Sequence, residues 1–191
     1  MKENYEQKFI SIIKSEKWLM ENLKIARDLD LPSWFIIGGA IRNTVWDFLH
    51  GYKKRTPLND IDLIFFDSVD LTDKREKEAE KILKKLKPDS NWEVVNQARI
   101  HLLYKGFPQL KSSVDSIRYC SEEANCVGIR LERDDAFTIC APYGLSDLMN
   151  LIVKPIPPTQ AYQMILELYK KRQKSKEWLK FWPKLKIHNL V

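Results

Sequence analysis

The chain has 191 residues, 44% hydrophobic and 30% charged, the balance of a folded protein with one sizeable core. Met1 to Lys17 holds no continuous apolar run of the secretory type and no stretch is long enough to span a bilayer, so a cytoplasmic protein without a membrane partner is expected. Cys120, Cys126 and Cys140 are odd in number and lack Cys-x-x-Cys spacing, which speaks against a disulfide framework or a zinc site, while the net charge of +6 gathers near the C-terminus.

Tyr5 to about Leu29 reads as one amphipathic helix, with Phe9, Ile12, Ile13, Leu19, Met20, Leu23 and Ala26 at three-to-four spacing. Asp30-Leu31-Pro32-Ser33 breaks it, and Trp34 to Ile37 is a short buried strand. Gly38-Gly39 then turns into a helix from Ala40 to His50, with Gly51 placed to end it. Tyr52 to Leu58 is basic and turn-like, and Ile61 to Phe66 is the second strand. Asp73 to Lys87 has the pattern of a charged helix turning Ala79, Ile82, Leu83 and Leu86 inward. Trp92 to Val95 and Ile100 to Tyr104 read as strands interrupted at Asn96-Gln97.

Ser112 to Cys120 reads as a short helix, and Cys126 to Leu131 with Ala136 to Ala141 as a hairpin turning at Glu132-Arg133-Asp134-Asp135. Another short helix follows from Leu145 to Leu151. Lys154-Pro155-Ile156-Pro157-Pro158 is a rigid, non-helical linker. Thr159 would cap a helix to about Lys174, with a last turn or two from Trp178 to Trp182. The expected architecture is α+β: a mixed β-sheet flanked by helices over residues 1–153, with a helical, basic C-terminal extension, 154–191, packed on the same domain. Between Lys170 and Lys186 eight cations stand against the single acid Glu177. That patch suits either phosphate attraction or a solvated helix face.

Two motifs carry chemistry. Gly38-Gly39 sits between a strand and a helix, where backbone N–H groups and the helix dipole favour a phosphate. Asp60 and Asp62 flank Ile61 at the start of a strand, so both carboxylates share one face. Acids that close repel unless a cation neutralises them, and all-oxygen ligands suit Mg²⁺ or Mn²⁺. A phosphate cradle beside paired metal carboxylates is the equipment of nucleotidyl or phosphoryl transfer. In Asn96-Gln97-Ala98-Arg99, polar side chains interrupt an apolar strand and imply either a ligand or a buried polar network. Arg99 is the residue of that group assigned to the nucleotide site.

Gly38-Gly39-Ala40-Ile41-Arg42-Asn43, Leu49-His50-Gly51 and Asn59-Asp60-Ile61-Asp62-Leu63 resemble the nucleotidyltransferase superfamily that contains DNA polymerase beta and the CCA-adding enzymes. Through Trp92 to His101, Ala141 to Leu148, Lys176-Glu177-Trp178 and Trp182-Pro183, the chain is similar to a bacterial family of small nucleotidyltransferase-like proteins. The resemblance implies Mg²⁺ held by two or three carboxylates and transfer of a nucleoside monophosphate from an NTP such as ATP to a hydroxyl acceptor, RNA or protein among the candidates. Asp60 and Asp62 would hold the metal, Gly38 and Gly39 the triphosphate, and Arg42 a β- or γ-phosphate. Glu93 is the positional match for a third carboxylate that orients the nucleophile. Its alternative is an exposed strand glutamate, with Asp115 a weaker substitute. Without a third acid the fold would serve as a non-catalytic nucleotide- or RNA-binding module.

Overall fold

The computed structural model describes residues 4–158, 162–175 and 177–188. The N-terminal periodicity resolves into two helices, α1 (Tyr5–Ser15) and α2 (Lys17–Asp28), rather than the single one expected. Neither Gly nor Pro causes the break. Glu16 leaves helical geometry and its carboxylate caps the N–H of Trp18, so one residue ends α1 and starts α2.

Strand β1 (Phe35–Ile37) leads through Gly38 into α3 (Gly39–His50), which ends on Gly51 in the left-handed conformation. Strand β2 (Ile61–Phe65) is followed by α4 (Lys74–Leu86) and β3 (Trp92–Asn96). β3 lies parallel to β2, with α4 as the crossover that parallel pairing requires. Of the apolar positions assigned to the inner face of α4, Ala79 and Leu83 are buried. Ile82 and Leu86 are 48% and 57% exposed, and Glu76 takes an inward place instead.

The second expected strand after Asn96 is absent. Gln97–Arg99 forms a 3-10 turn and Ile100–Leu103 a short helix, α5. Asn96 is the cause: its buried side chain accepts from the N–H groups of Asp67 and Ala98 and donates to the carbonyls of Asp67 and Asp70. A short helix α6 (Ser113–Ile117) precedes the hairpin of β4 (Gly128–Leu131) and β5 (Phe137–Cys140). Then come α7 (Ser146–Met149), β6 (Ile152–Val153), α8 (Tyr162–Ser175), α9 (Trp178–Phe181) and β7 (Lys186–Ile187). Thr159, the expected cap of α8, lies outside the described residues. The Pro-rich segment before it is non-helical, but it is packed: Ile156 is buried and Pro155 bridges Glu122.

The main sheet is mixed, in the order β3-β2-β1-β4-β5, with β1 antiparallel to both neighbours. One face packs on α1, α2 and α3 through Ile36, Leu63, Val94 and Ile129. The other buries Phe35, Ile64, Ile117 and Ile165. Residues from the C-terminal segment, Tyr169, Trp178, Trp182 and Leu185, join the same core as Phe9, Ile36 and Trp46. Burying each contributes about 1.5–3 kcal/mol. Among the described residues no helix is long and apolar enough to cross a membrane.

Candidate active site

Register brings the acids together. Asp62 lies opposite Ile37 on β1 and opposite Glu93 on β3, so Asp62 and Glu93 project from one face of adjacent strands. Asp60, two residues before Asp62 and just ahead of β2, is close enough for its charge to act on both of the other acids. Burial, then the charges of Asp60 and Glu93, push the Asp62 carboxyl up to about 6. Glu93 itself is exposed on its strand and does not line the cavity beside Asp62; partial desolvation, then the charges of Asp60 and Glu80, raise its carboxyl.

Gly38 explains how Asp62 fits. Its φ is +68°, a region that disfavours side chains, and a Cβ there would collide with Asp62 Oδ2. The turn thus lays its backbone directly against the carboxylate. A Cβ on Gly39 would come within 2.9 Å of Leu58. Close approach and a positive φ require glycine at Gly38, whereas at Gly39 the flexible tip of Leu58 could give way.

Arg42, one turn into α3, is buried. Its guanidinium donates to Asn43 Oδ1 (2.8 Å from Nη2) and Asn125 Oδ1 (2.9 Å), and lies 5.2 Å from the ring centres of both Trp46 and Trp178. Its hydrogen bonds go to neutral amides, not carboxylates. Burial, with Arg172 as a neighbouring cation, pulls it down to about 10. The charges of Glu122, Asp62 and Asp60 act the other way on Arg42, so the cavity holds cations and carboxylates together.

That cavity has a volume of about 630 Å³. Gly38, Gly39 and Arg42 line one part of it and Asp60 and Asp62 another, while Arg172, Trp178 and Phe181 close it from the C-terminal segment. Arg172 is anchored by the buried carboxylate of Glu122 at 3.0 Å, and Trp182 Nε1 donates to the buried Asp47 at 2.7 Å. Asp47 also accepts from Thr56, which fixes the loop before Asp60. These C-terminal residues were missed as site residues in the sequence. A signal was present: Ile165, Tyr169 and Arg172 fall on one helical stripe, so the arginine occupies an inward position.

Arg99 does not come to this cavity. It sits beyond the C-terminal end of β3, whereas Asp62 and Glu93 are near the strand starts, and it pairs with Glu76 at 2.7 Å. In the polar run from Asn96 to Arg99, Asn96 is buried and both its N–H and half-buried Arg99 donate to Glu76, so the run is not part of the cavity wall.

Among the described residues no three His, Cys, Asp or Glu groups stand as a ready-made metal centre. The donor set nevertheless fits a hard cation. Asp60 and Asp62 offer oxygen only, and a divalent ion held by them would favour the charged form of Asp62 that burial and the charge of Asp60 disfavour.

Comparison with known proteins agrees with this fold. A solved structure described as revealing a CCA-adding enzyme head domain is 31% identical, covers 96% of each chain and superposes with a TM-score of 0.83. The Thermotoga maritima CCA-adding enzyme complexed with tRNA shares the fold at 13% identity and a TM-score of 0.55, matching 91% of this chain and 40% of its own. A CCA-adding enzyme in complex with ATP does so at 10% identity and a TM-score of 0.56, over 94% of this chain and 42% of its own. The present chain thus spans less than half the length of those two enzymes. No curated protein matches. A nucleotidyltransferase family model matches residues 24–187, a span holding the glycine pair, all three carboxylates and the C-terminal residues that close the cavity, and the chain belongs to that family.

Proposed function

We propose that this nucleotidyltransferase moves a nucleoside monophosphate from an NTP to a hydroxyl acceptor, with Mg²⁺ or Mn²⁺ on Asp60 and Asp62 and release of pyrophosphate. The observation that carries this is the in-register pairing of Asp62 with Glu93 beside the Gly38 turn. It supports reading Glu93 as the third acid, which a purely binding module would lack. The ion, when bound, stabilises charge on the α-phosphate and the departing pyrophosphate.

The chain's own groups do the rest. The N–H groups at the start of α3 receive the triphosphate, and Arg42 with Arg172 offsets its outer charges. Glu93, raised above an ordinary glutamate, is suited to take the acceptor's proton as its oxygen bonds to the α-phosphorus and the bond to pyrophosphate breaks. Arg172, Trp178, Phe181 and Trp182 line the cavity, which supports reading the C-terminal extension as part of the same unit. ATP and RNA are the first donor and acceptor to test, since solved structures with the same fold hold ATP or tRNA.

The test is incubation with each labelled NTP, Mg²⁺ or Mn²⁺, and total RNA or cell extract. Asp60→Ala and Asp62→Ala are expected to cut acceptor labelling by about 10²-fold or more. Unchanged labelling in both variants would sink the mechanism.

A further inference from the structure

Behind the cavity wall stands a carboxylate that is not itself part of the wall. Glu122 is 1% exposed and lies just ahead of the 3-10 turn Glu123–Asn125, between α6 and β4. Three side chains donate to it. Ser121 Oγ, at 2.8 Å, and the Asn125 amide share one oxygen, and Arg172 Nε takes the other at 3.0 Å. All three donors line the nucleotide cavity, whereas Glu122 does not. Its backbone is pinned as well: the carbonyl accepts from Asn125 N–H at 2.9 Å and Cys126 Sγ at 3.4 Å, and Pro155 bridges it from the C-terminal segment.

The Asn125 amide has one workable orientation. Its Nδ2 donates to Glu122, so its Oδ1 faces Arg42 Nη1 at 2.9 Å. Turned over, it would set an oxygen against the carboxylate and an N–H against the guanidinium. Glu122 therefore acts on Arg172 directly and on Arg42 through Asn125. The two arginines come from α3 and α8, far apart in the chain, and their like charges repel. Burial first, then Arg172, lowers Arg42, and Glu122 is the foremost charge that raises it again.

A buried ion pair carries a desolvation cost that an apolar pair of the same size avoids, so stability alone does not call for one here. What the pair adds is direction. Held at Nε, a guanidinium has its plane fixed, which a point charge such as lysine would not. We infer that Glu122 is a positioning residue for nucleotidyl transfer: one buried carboxylate sets Arg172 through Nε and Arg42 through the Asn125 amide, so that both guanidiniums meet the β- and γ-phosphates of the donor and the pyrophosphate that leaves. This rests on the nucleotidyl-transfer reading above.

Glutamine cannot replace this glutamate. With one oxygen in place of two, it turns an N–H toward either Arg172 or the Asn125 amide, and one guanidinium loses its hold. Calorimetric titration of the full chain with Mg²⁺ and either pyrophosphate or ATP tests the role. Glu122→Gln is expected to weaken both about tenfold. In a background of Arg172→Gln, adding Glu122→Gln is expected to cost less than about threefold more, because much of its effect runs through the arginine already removed. Should Glu122→Gln fail to fold, Arg172→Lys carries the test: it keeps the charge, lacks the Nε–H and is expected to bind pyrophosphate about fivefold more weakly. Unchanged pyrophosphate affinity in Glu122→Gln, an equal loss in both backgrounds, or wild-type affinity in Arg172→Lys overturns the positioning role and leaves nucleotide transfer standing. Wild-type protein that binds neither ATP nor pyrophosphate brings down the transfer reading and this role together.

Discussion

Asp62 opposes folding in the metal-free protein. Its carboxyl titrates near 6 when folded, against 3.8 for the ordinary group, because burial and two neighbouring acids disfavour the anion. Between those values the folded chain holds more proton than the unfolded one, so stability falls as pH rises through about 4 to 6. Asp62→Asn removes the charge at constant size. In EDTA at pH 7.5 it is expected to raise unfolding free energy by on the order of 1–3 kcal/mol, a gain that fades near pH 4. Urea denaturation at the two pH values checks it, and a variant less stable at pH 7.5 would contradict the assigned environment. The same substitution is expected to abolish labelling, so stability and activity move in opposite directions, as they do at functional sites that strain the fold.

Among the elements, α8 and α9 do most to complete what β1, β2 and α3 begin. They are held by two buried carboxylates of the main body: Glu122 grips Arg172, and Asp47 grips Trp182 while also fixing Thr56. One aspartate thereby couples the C-terminal closure to the loop that carries Asp60. Trp182→Phe keeps an aromatic ring but deletes the indole N–H donor along with some buried volume, leaving Asp47 short of a partner in a buried position. A loss of about 1–3 kcal/mol in stability is expected, with NTP affinity reduced about fivefold as the closure loosens. Calorimetric titration and thermal melts of the one variant read both. Unchanged nucleotide affinity would detach α9 from the site.

At the scale of the whole molecule, what was legible in the sequence followed short-range physics. Gly38, Gly51, the apolar run from Ile61 to Phe66 and the Glu132–Asp135 turn each announce themselves within a few residues, and with Trp92 to Val95 they mark the sheet's strands β1 to β5. The break at Glu16 escaped because a glutamate cap needs no helix breaker. The turn after β3 escaped because Ile100, Leu102 and Leu103 suit a strand or a helix equally, and only the bonds of buried Asn96 with Asp67 and Asp70 decide between them. For the same reason Arg99 belongs with Glu76 rather than with the nucleotide cavity. Half of the cavity wall lay beyond local reading altogether: Asn125 and Arg172 meet the Gly38 region only through the packing of distant segments.

The tryptophan cluster has one more consequence. Trp46 meets Trp178 and Trp182 edge-on at 5.9 and 5.2 Å, Arg42 lies against two of the three rings, and Trp178 and Trp182 line the cavity. Indole emission responds to the polarity and charge around the ring, so the protein has a built-in optical sensor where its donor substrate should bind. Titrating NTP with Mg²⁺ is expected to change tryptophan fluorescence saturably, with a smaller amplitude in Trp178→Phe. The reaction's first step can then be followed without any label.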